Sequence, residues 1–212
     1  MTARDEFISG LTRHAAAFGA QPGPEVAARL ADYFELVGKW NSRLHLVAPC
    51  APEEFAARHV HESLTAAAHL PRGARFADVG AGAGLPSLPC LIARDDLRAA
   101  IVEASTKKAV FLREALNALG LRGRAEVVNS RFEDAPAPAV EAVTCRALER
   151  FTELLPELLS WTPPGARLLL FGGDTLRDAL ERAGRDFTAT LMHGSERRFL
   201  FVVKPAVLTA AP

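Results

Sequence analysis

The sequence predicts an α/β fold: a doubly wound, mostly parallel sheet of seven strands with helices on both faces, preceded by a helical extension and closed by an antiparallel hairpin. Short apolar runs alternate with helical patterns from residue 73 onward, and such alternation builds βαβ units. A glycine-rich turn joins the first of these runs to the helical pattern that follows it. Before residue 73 the chain shows helical periodicity instead, so residues 1–72 are expected to form a helical subdomain and residues 73–212 the sheet domain.

Each element has its own signal. Leu30, Tyr33, Val37, Trp40 and Leu44 recur three and four residues apart, which places them on one face of a long helix. Gln21-Pro22-Gly23-Pro24 separates that helix from the one before it. A further helical stretch runs from Pro52 to His69 and ends at Pro71-Arg72-Gly73, the turn into the first strand. Strands are expected at Arg75–Val79, Ala99–Val102, Ala125–Val128, Ala142–Cys145 and Arg167–Phe171, with helices over Ser105–Leu119 and Glu149–Trp161 between them. Phe187–Met192 and Arg197–Val203 flank His193-Gly194-Ser195-Glu196 and read as the closing hairpin.

Composition bounds the function. With 212 residues and 49% hydrophobic content the chain can bury a sizeable core. Cys50, Cys90 and Cys145 are odd in number, far apart and without a Cys-x-x-Cys pair, which implies neither a disulfide framework nor a zinc cluster. His59 and His61, two apart on a helix, do not face each other, so no metal site is expected there. The first residues lack the apolar core of a signal peptide and no apolar run approaches membrane-spanning length, so a cytoplasmic protein without membrane contact is expected. The 25 basic residues balance 25 acidic ones, so any nucleic-acid site must be a local patch.

The chemistry concentrates at Asp78-Val79-Gly80-Ala81-Gly82-Ala83-Gly84-Leu85. A strand that turns sharply into a helix beneath a ligand needs residues without Cβ, for unusual φ values and for close backbone approach. A dinucleotide-binding loop would place its third glycine where Leu85 stands, so that fingerprint is not met, and the spacing points to S-adenosylmethionine. Glu103 ends the second strand, where an acid accepts the ribose hydroxyls of an adenosine. An ordinary turn is the alternative reading of the glycines.

These residues carry a family resemblance. Asp78 to Pro86, then Ser105-Thr106-Lys107-Lys108 with Phe111-Leu112-Arg113, resemble the bacterial small-subunit ribosomal RNA guanine-N7 methyltransferases, also called the glucose-inhibited division protein B family. Trp40-Asn41-Ser42-Arg43-Leu44 resembles that family's N-terminal helix signature, and Arg58-His59-Val60-His61-Glu62-Ser63 its Arg-His-x-x-Asp-Ser segment. Ser130-Arg131-Phe132-Glu133, Cys145-Arg146-Ala147 and Glu196-Arg197-Arg198-Phe199 follow at family-like spacings. The resemblance implies a Rossmann-like class I methyltransferase fold. It also implies S-adenosylmethionine contacts at Gly80, Leu85, Phe132, Glu133 and Arg146, with Glu103 at the ribose, and Asp78, Gly82 and Gly84 of the loop complete the expected cofactor set. Phe132 is either a ring against the adenine or a core phenylalanine, and Arg146 either holds a carboxylate or phosphate or makes a surface salt bridge. Arg43, Arg58, His59, Lys107, Lys108, Arg113 and Arg197 would form the patch that tracks RNA phosphates, with a solvated charged face as the alternative.

Methyltransferases acting on exocyclic amines commonly carry an Asn/Asp-Pro-Pro-aromatic motif after the fourth strand, where this chain has Thr144-Cys145-Arg146-Ala147. Guanine N7 has a free lone pair and needs no base, so no catalytic acid or base is expected. Four positions depart from the family pattern: Gly172 stands at a usual lysine, His45 and Val47 at an Asn and a Thr, and Ser87 at a glycine. The expected protein is a monomeric methyltransferase acting on ribosomal RNA or the small ribosomal subunit. A small-molecule methyltransferase and a non-catalytic cofactor-fold protein acting in ribosome assembly are the two alternatives.

Overall fold

The computed structural model describes residues 1–18, 21–146 and 150–205. Ala147 and Glu149, named above in the Arg146 motif and in the helix after it, lie outside the described residues. Two long helices open the chain, α1 (Ala3–Phe18) and α2 (Pro24–Leu44). The stretch predicted as one helix from Pro52 to His69 is divided into α3 (Pro52–Phe55), a widened π-helical turn over Ala56–His61, and α4 (Glu62–Ala67).

Seven strands then form one sheet: β1 (Arg75–Val79), β2 (Arg98–Val102), β3 (Ala125–Val128), β4 (Ala142–Arg146), β5 (Arg167–Gly172), β6 (Phe187–Leu191) and β7 (Phe199–Val203). Their spatial order is β3-β2-β1-β4-β5-β7-β6. Pairing is parallel from β3 across to β5, and β7 runs antiparallel to both β5 and β6. The helices α5 (Ser87–Ala93), α6 (Thr106–Ala118), α7 (Phe151–Trp161) and α8 (Asp174–Arg182) cover the faces, and α5 and α8 were not delimited by periodicity. The strand order reverses between β1 and β4, and open α/β sheets bind ligands at the carboxyl ends of strands at such a point.

Strand alternation sorts the core into two layers. Phe76, Ile101, Leu169 and Leu200 point to one face, together with α1, α2, the Pro52–Ala67 stretch, α5 and α6. Val79, Val143, Leu170 and Phe201 point to the other, against α7 and α8. The residues of α2 that share the predicted face do pack inward: Leu30, Tyr33 and Val37 are buried, and Trp40 and Leu44 lie against the same cluster. One apolar cluster therefore runs without a break from the N-terminal helices to the sheet.

Candidate active site

The site is built from the glycine loop upward. After β1 the chain takes positive φ at Gly80, Gly82 and Gly84. The glycines at 82 and 84 serve different ends. A Cβ at Gly84 would lie 2.5 Å from the Leu88 side chain, so this glycine lets α5 pack against the loop. A Cβ at Gly82 would meet nothing nearer than 3.9 Å, so this glycine leaves open space in front of the backbone. Glu103, 7% exposed, accepts from the Gly82 N–H through Oε2 (2.9 Å) and from the Ser105 N–H through Oε1 (2.8 Å). Each of its oxygens keeps a lone pair for a further donor.

Two more groups fix the loop from below. Asp78, fully buried, accepts from the Ser87 N–H (3.2 Å) and the Thr144 hydroxyl (2.9 Å), and burial pushes its carboxyl up to about 6 despite those bonds. Tyr33, reaching from α2, donates to the Ala83 carbonyl at 3.0 Å. The N-terminal helices thus hold the loop directly, a contact between residues 50 apart that no local pattern announced.

A cleft of about 490 Å³ opens in front of the loop. Gly80 to Ala83 and Leu85 form one wall, with Lys108 at its edge. The opposite wall is charged. Glu62, at 2% side-chain exposure, accepts from Arg146 (3.0 Å) and from Arg198 (2.9 Å), which stand at the ends of β4 and the hairpin turn. Arg146 also donates to the Arg58 carbonyl (2.8 Å) in the widened turn and to His59 Nδ1 (3.2 Å), and its guanidinium lies 5.4 Å from the Phe171 ring centroid. Burial and the neighbouring Arg146, Arg58 and Arg198 charges push His59 down to about 3, so its imidazole is neutral at physiological pH. Arg58 itself pairs with Glu54 at 2.5 Å.

The other expected residues fall as follows. Phe132 is 4% exposed and packs edge-on against Trp161 in the second core layer. Glu133 pairs with Arg131 at 2.7 Å. Lys107 and Arg113 are exposed on α6 and Arg43 is exposed in the last turn of α2. Arg197 is exposed outside the cleft, whereas its neighbour Arg198 lines it. The Arg146 ion pair is buried, not at the surface: its side chain is 13% exposed. Glu62, Arg198 and Tyr33 were not singled out as site residues by sequence. Among the described residues no group of three metal-ligating side chains clusters.

The departures from the family pattern have local accounts. His45 closes α2 in the left-handed region at φ 48°, where Asn is favoured. Val47 keeps both backbone bonds to the Asn41 amide (3.0 Å each), which its side chain does not enter. A Cβ at Gly172 would lie 2.5 Å from Leu176, so α8 packs where a lysine stem would begin. Nothing in the structure explains Ser87, which is fully buried at the start of α5.

Residues 26–203 match the sequence family described as "rRNA small subunit methyltransferase G". The chain belongs to that family. One relative, the "Ribosomal RNA small subunit methyltransferase G" of Sorangium cellulosum, is 36% identical over 180 residues, covering 82% of this chain and 75% of that protein. The protein so named from Desulfotalea psychrophila is 34% identical over 186 residues, 84% of each chain. Among solved structures, magnesium protoporphyrin IX methyltransferase from Synechocystis PCC 6803 with bound SAM superposes with a TM-score of 0.60, covering 82% of this chain and 94% of that one at 16% identity. A SAM dependent methyltransferase from Aquifex aeolicus gives 0.58, over 72% and 93%, at 19% identity. At these identities the structural likeness shows the shared class I methyltransferase fold, while membership of the family rests on the sequence match.

The residues present fit S-adenosylmethionine. The loop offers backbone without side chains at Gly82, Glu103 offers free lone pairs to a diol, and Lys108 and Arg146 offer cations to a carboxylate.

Proposed function

We propose that this protein transfers a methyl group from S-adenosylmethionine to N7 of a guanine in small-subunit ribosomal RNA. When bound, the cofactor supplies an electrophilic methyl group on a sulfonium sulfur. The chain's own residues bind and orient. Glu103 accepts the ribose hydroxyls, Gly82 admits the ligand to the backbone, and the cations of the cleft hold its carboxylate. The RNA reading is supported by the cationic rim, where Lys108, Arg58 and Arg198 line an open cleft and Lys107 is exposed next to Lys108 on α6, and by the names of the family relatives. Phe132 and Glu133 stand at the adenine edge in this proposal, Phe132 through its backbone, since its ring is packed on Trp161.

The observation that carries the N7 reading is the protonation chemistry of the cleft. Its ionisable groups are Arg58, Arg146, Arg198, Lys108, the doubly paired Glu62, and His59, whose depressed pKa leaves it a poor base. The one carboxylate, Glu62, is held between two arginines and the acceptor nitrogen of His59 is occupied by Arg146, so no free base faces the cleft and an acceptor that is nucleophilic without losing a proton fits it best. Guanine N7 meets that condition, and orientation supplies the acceleration. The test is transfer of labelled methyl groups to small ribosomal subunits, to the deproteinised RNA and to a panel of small metabolites. We expect label in RNA only, with binding that weakens steeply as salt rises because phosphate contacts release counterions. Label in a metabolite alone would replace this reading with a small-molecule activity.

A further inference from the structure

We propose that His59 is a specificity-determining residue that donates a hydrogen bond from its outer ring nitrogen to O6 of the target guanine. This deepens the guanine-N7 reading and rests on it. The Arg146 guanidinium can only donate, so the imidazole nitrogen 3.2 Å from it must be the acceptor, whichever way the ring is drawn. The proton of the neutral ring therefore sits on the other nitrogen. Three cations and burial keep the ring neutral, so the tautomer is held at working pH: the charged groups facing it are Arg58, Arg146 and Arg198. The ring cannot swing freely, because it stands edge-on against Phe55 with centroids 4.9 Å apart and lies in a widened helical turn whose Arg58 carbonyl is also bonded by Arg146. His59 lines the cleft, and among the described residues the bond from Arg146 is the one hydrogen bond its ring makes, which leaves the second nitrogen available to a ligand.

A fixed donor beside the methyl-accepting atom reads one edge of a purine. Guanine presents N7 and O6 side by side as acceptors, whereas adenine presents N7 beside an amino group. An amino group facing the His59 N–H would leave two donors opposed once the base is seated against the ring, which penalises adenine. Arg146 acts here as a positioning residue, through His59, and Glu62 holds Arg146 in turn.

The test uses the whole protein and small-subunit RNA in which the mapped target guanosine is replaced by inosine, which keeps O6, or by 2-aminopurine riboside, which keeps N7 and the amino group and lacks O6. We expect wild type to methylate the inosine RNA at near its guanosine rate and to lose about 30-fold in kcat/KM on the 2-aminopurine RNA. His59→Ala should lose a similar factor on guanosine and no longer distinguish guanosine from 2-aminopurine, while His59→Gln, which keeps an N–H donor, should restore part of both. Calorimetry with S-adenosylhomocysteine and circular dichroism confirm that the variants fold and bind cofactor. If His59→Ala still discriminates against 2-aminopurine by the full wild-type factor, the O6 contact is overturned while the N7 reading stands. If wild type methylates no guanosine in any RNA, the function itself is overturned and this contact with it.

Discussion

Two rims of one cleft are held by opposite means. On the side of β1 and β2, the ligand-facing surface is backbone, fixed by single side-chain hydrogen bonds: Glu103 takes the Gly82 N–H, Asp78 takes the Ser87 N–H, and Tyr33 donates to the Ala83 carbonyl. On the side of α4, β4 and the hairpin turn the surface is charge, with Arg146 and Arg198 converging on the buried Glu62. The first rim suits a ligand that must be approached closely. The second suits an anionic partner, and it keeps its cations in place only while one carboxylate remains between them.

That contrast breaks most visibly at Glu62. Glu62→Ala leaves Arg146 and Arg198 facing each other without a counter-charge and should cost about 3–5 kcal/mol of stability, measured by urea denaturation. Arg198→Ala, which leaves the Glu62–Arg146 pair intact, should cost far less. Equal losses would mean that the ion-pair network does not anchor this rim.

The glycines sharpen the other side. Gly84→Val combines a positive φ of 81° with overlap against Leu88 and should destabilise by about 3 kcal/mol or more. Gly82→Val meets open space, so its fold should survive at a cost of about 1–2 kcal/mol for the backbone conformation, while S-adenosylmethionine affinity falls by at least about 100-fold. Calorimetry beside thermal melts separates the two, and unchanged affinity in Gly82→Val would remove the loop from the cofactor site.

The rims should also respond to acid with opposite signs. Asp78, pushed up to about 6, holds its proton in the folded chain where the unfolded chain has lost it, so between about pH 4 and 6 acidification adds stability through this group. His59, pushed down to about 3, stays neutral where the unfolded chain is protonated, so between about pH 6.5 and 3 acidification removes stability through it. Each effect is at most about 1.4 kcal/mol per pH unit. From pH 6 to 4, Asp78→Asn should therefore lose stability more steeply than wild type and His59→Gln less steeply, read from urea midpoints. Parallel curves would contradict both assignments.

How legible each rim was follows from the same contrast. The glycine loop, its strand and Glu103 lie close together in sequence, and each residue type reports a local need, so periodicity and spacing found them and five of the strands nearly to the residue. The charged rim is assembled by the sheet order. Glu62 and Arg198 are 136 positions apart, and only the pairing of β7 beside β5 brings the hairpin turn over α4. The cationic patch read from the sequence includes Arg197 and not Arg198, and the last strand is expected from Arg197. Since β7 begins at Phe199, both arginines fall in the turn, where strand alternation does not decide which one faces the cleft. The π-helical turn has no marker in Ala56-Ala57-Arg58-His59-Val60-His61, yet it carries the carbonyl that Arg146 bonds.

A smaller effect tests the outer edge of the cleft. Lys107→Ala with Lys108→Ala should lower the slope of log affinity against log salt for RNA by about 1.5, with cofactor affinity unchanged. An unchanged slope would leave these lysines as a solvated face of α6.

The most direct measurement is the identity of the modified nucleoside. RNA methylated by the protein, digested to nucleosides and resolved by mass spectrometry against standards, should contain 7-methylguanosine, produced at a rate nearly flat from pH 6.5 to 8.5 because no group in the cleft must lose a proton. A methyl group on an exocyclic amine or a ring carbon, or a rate that follows a base titrating near neutrality, would contradict the account.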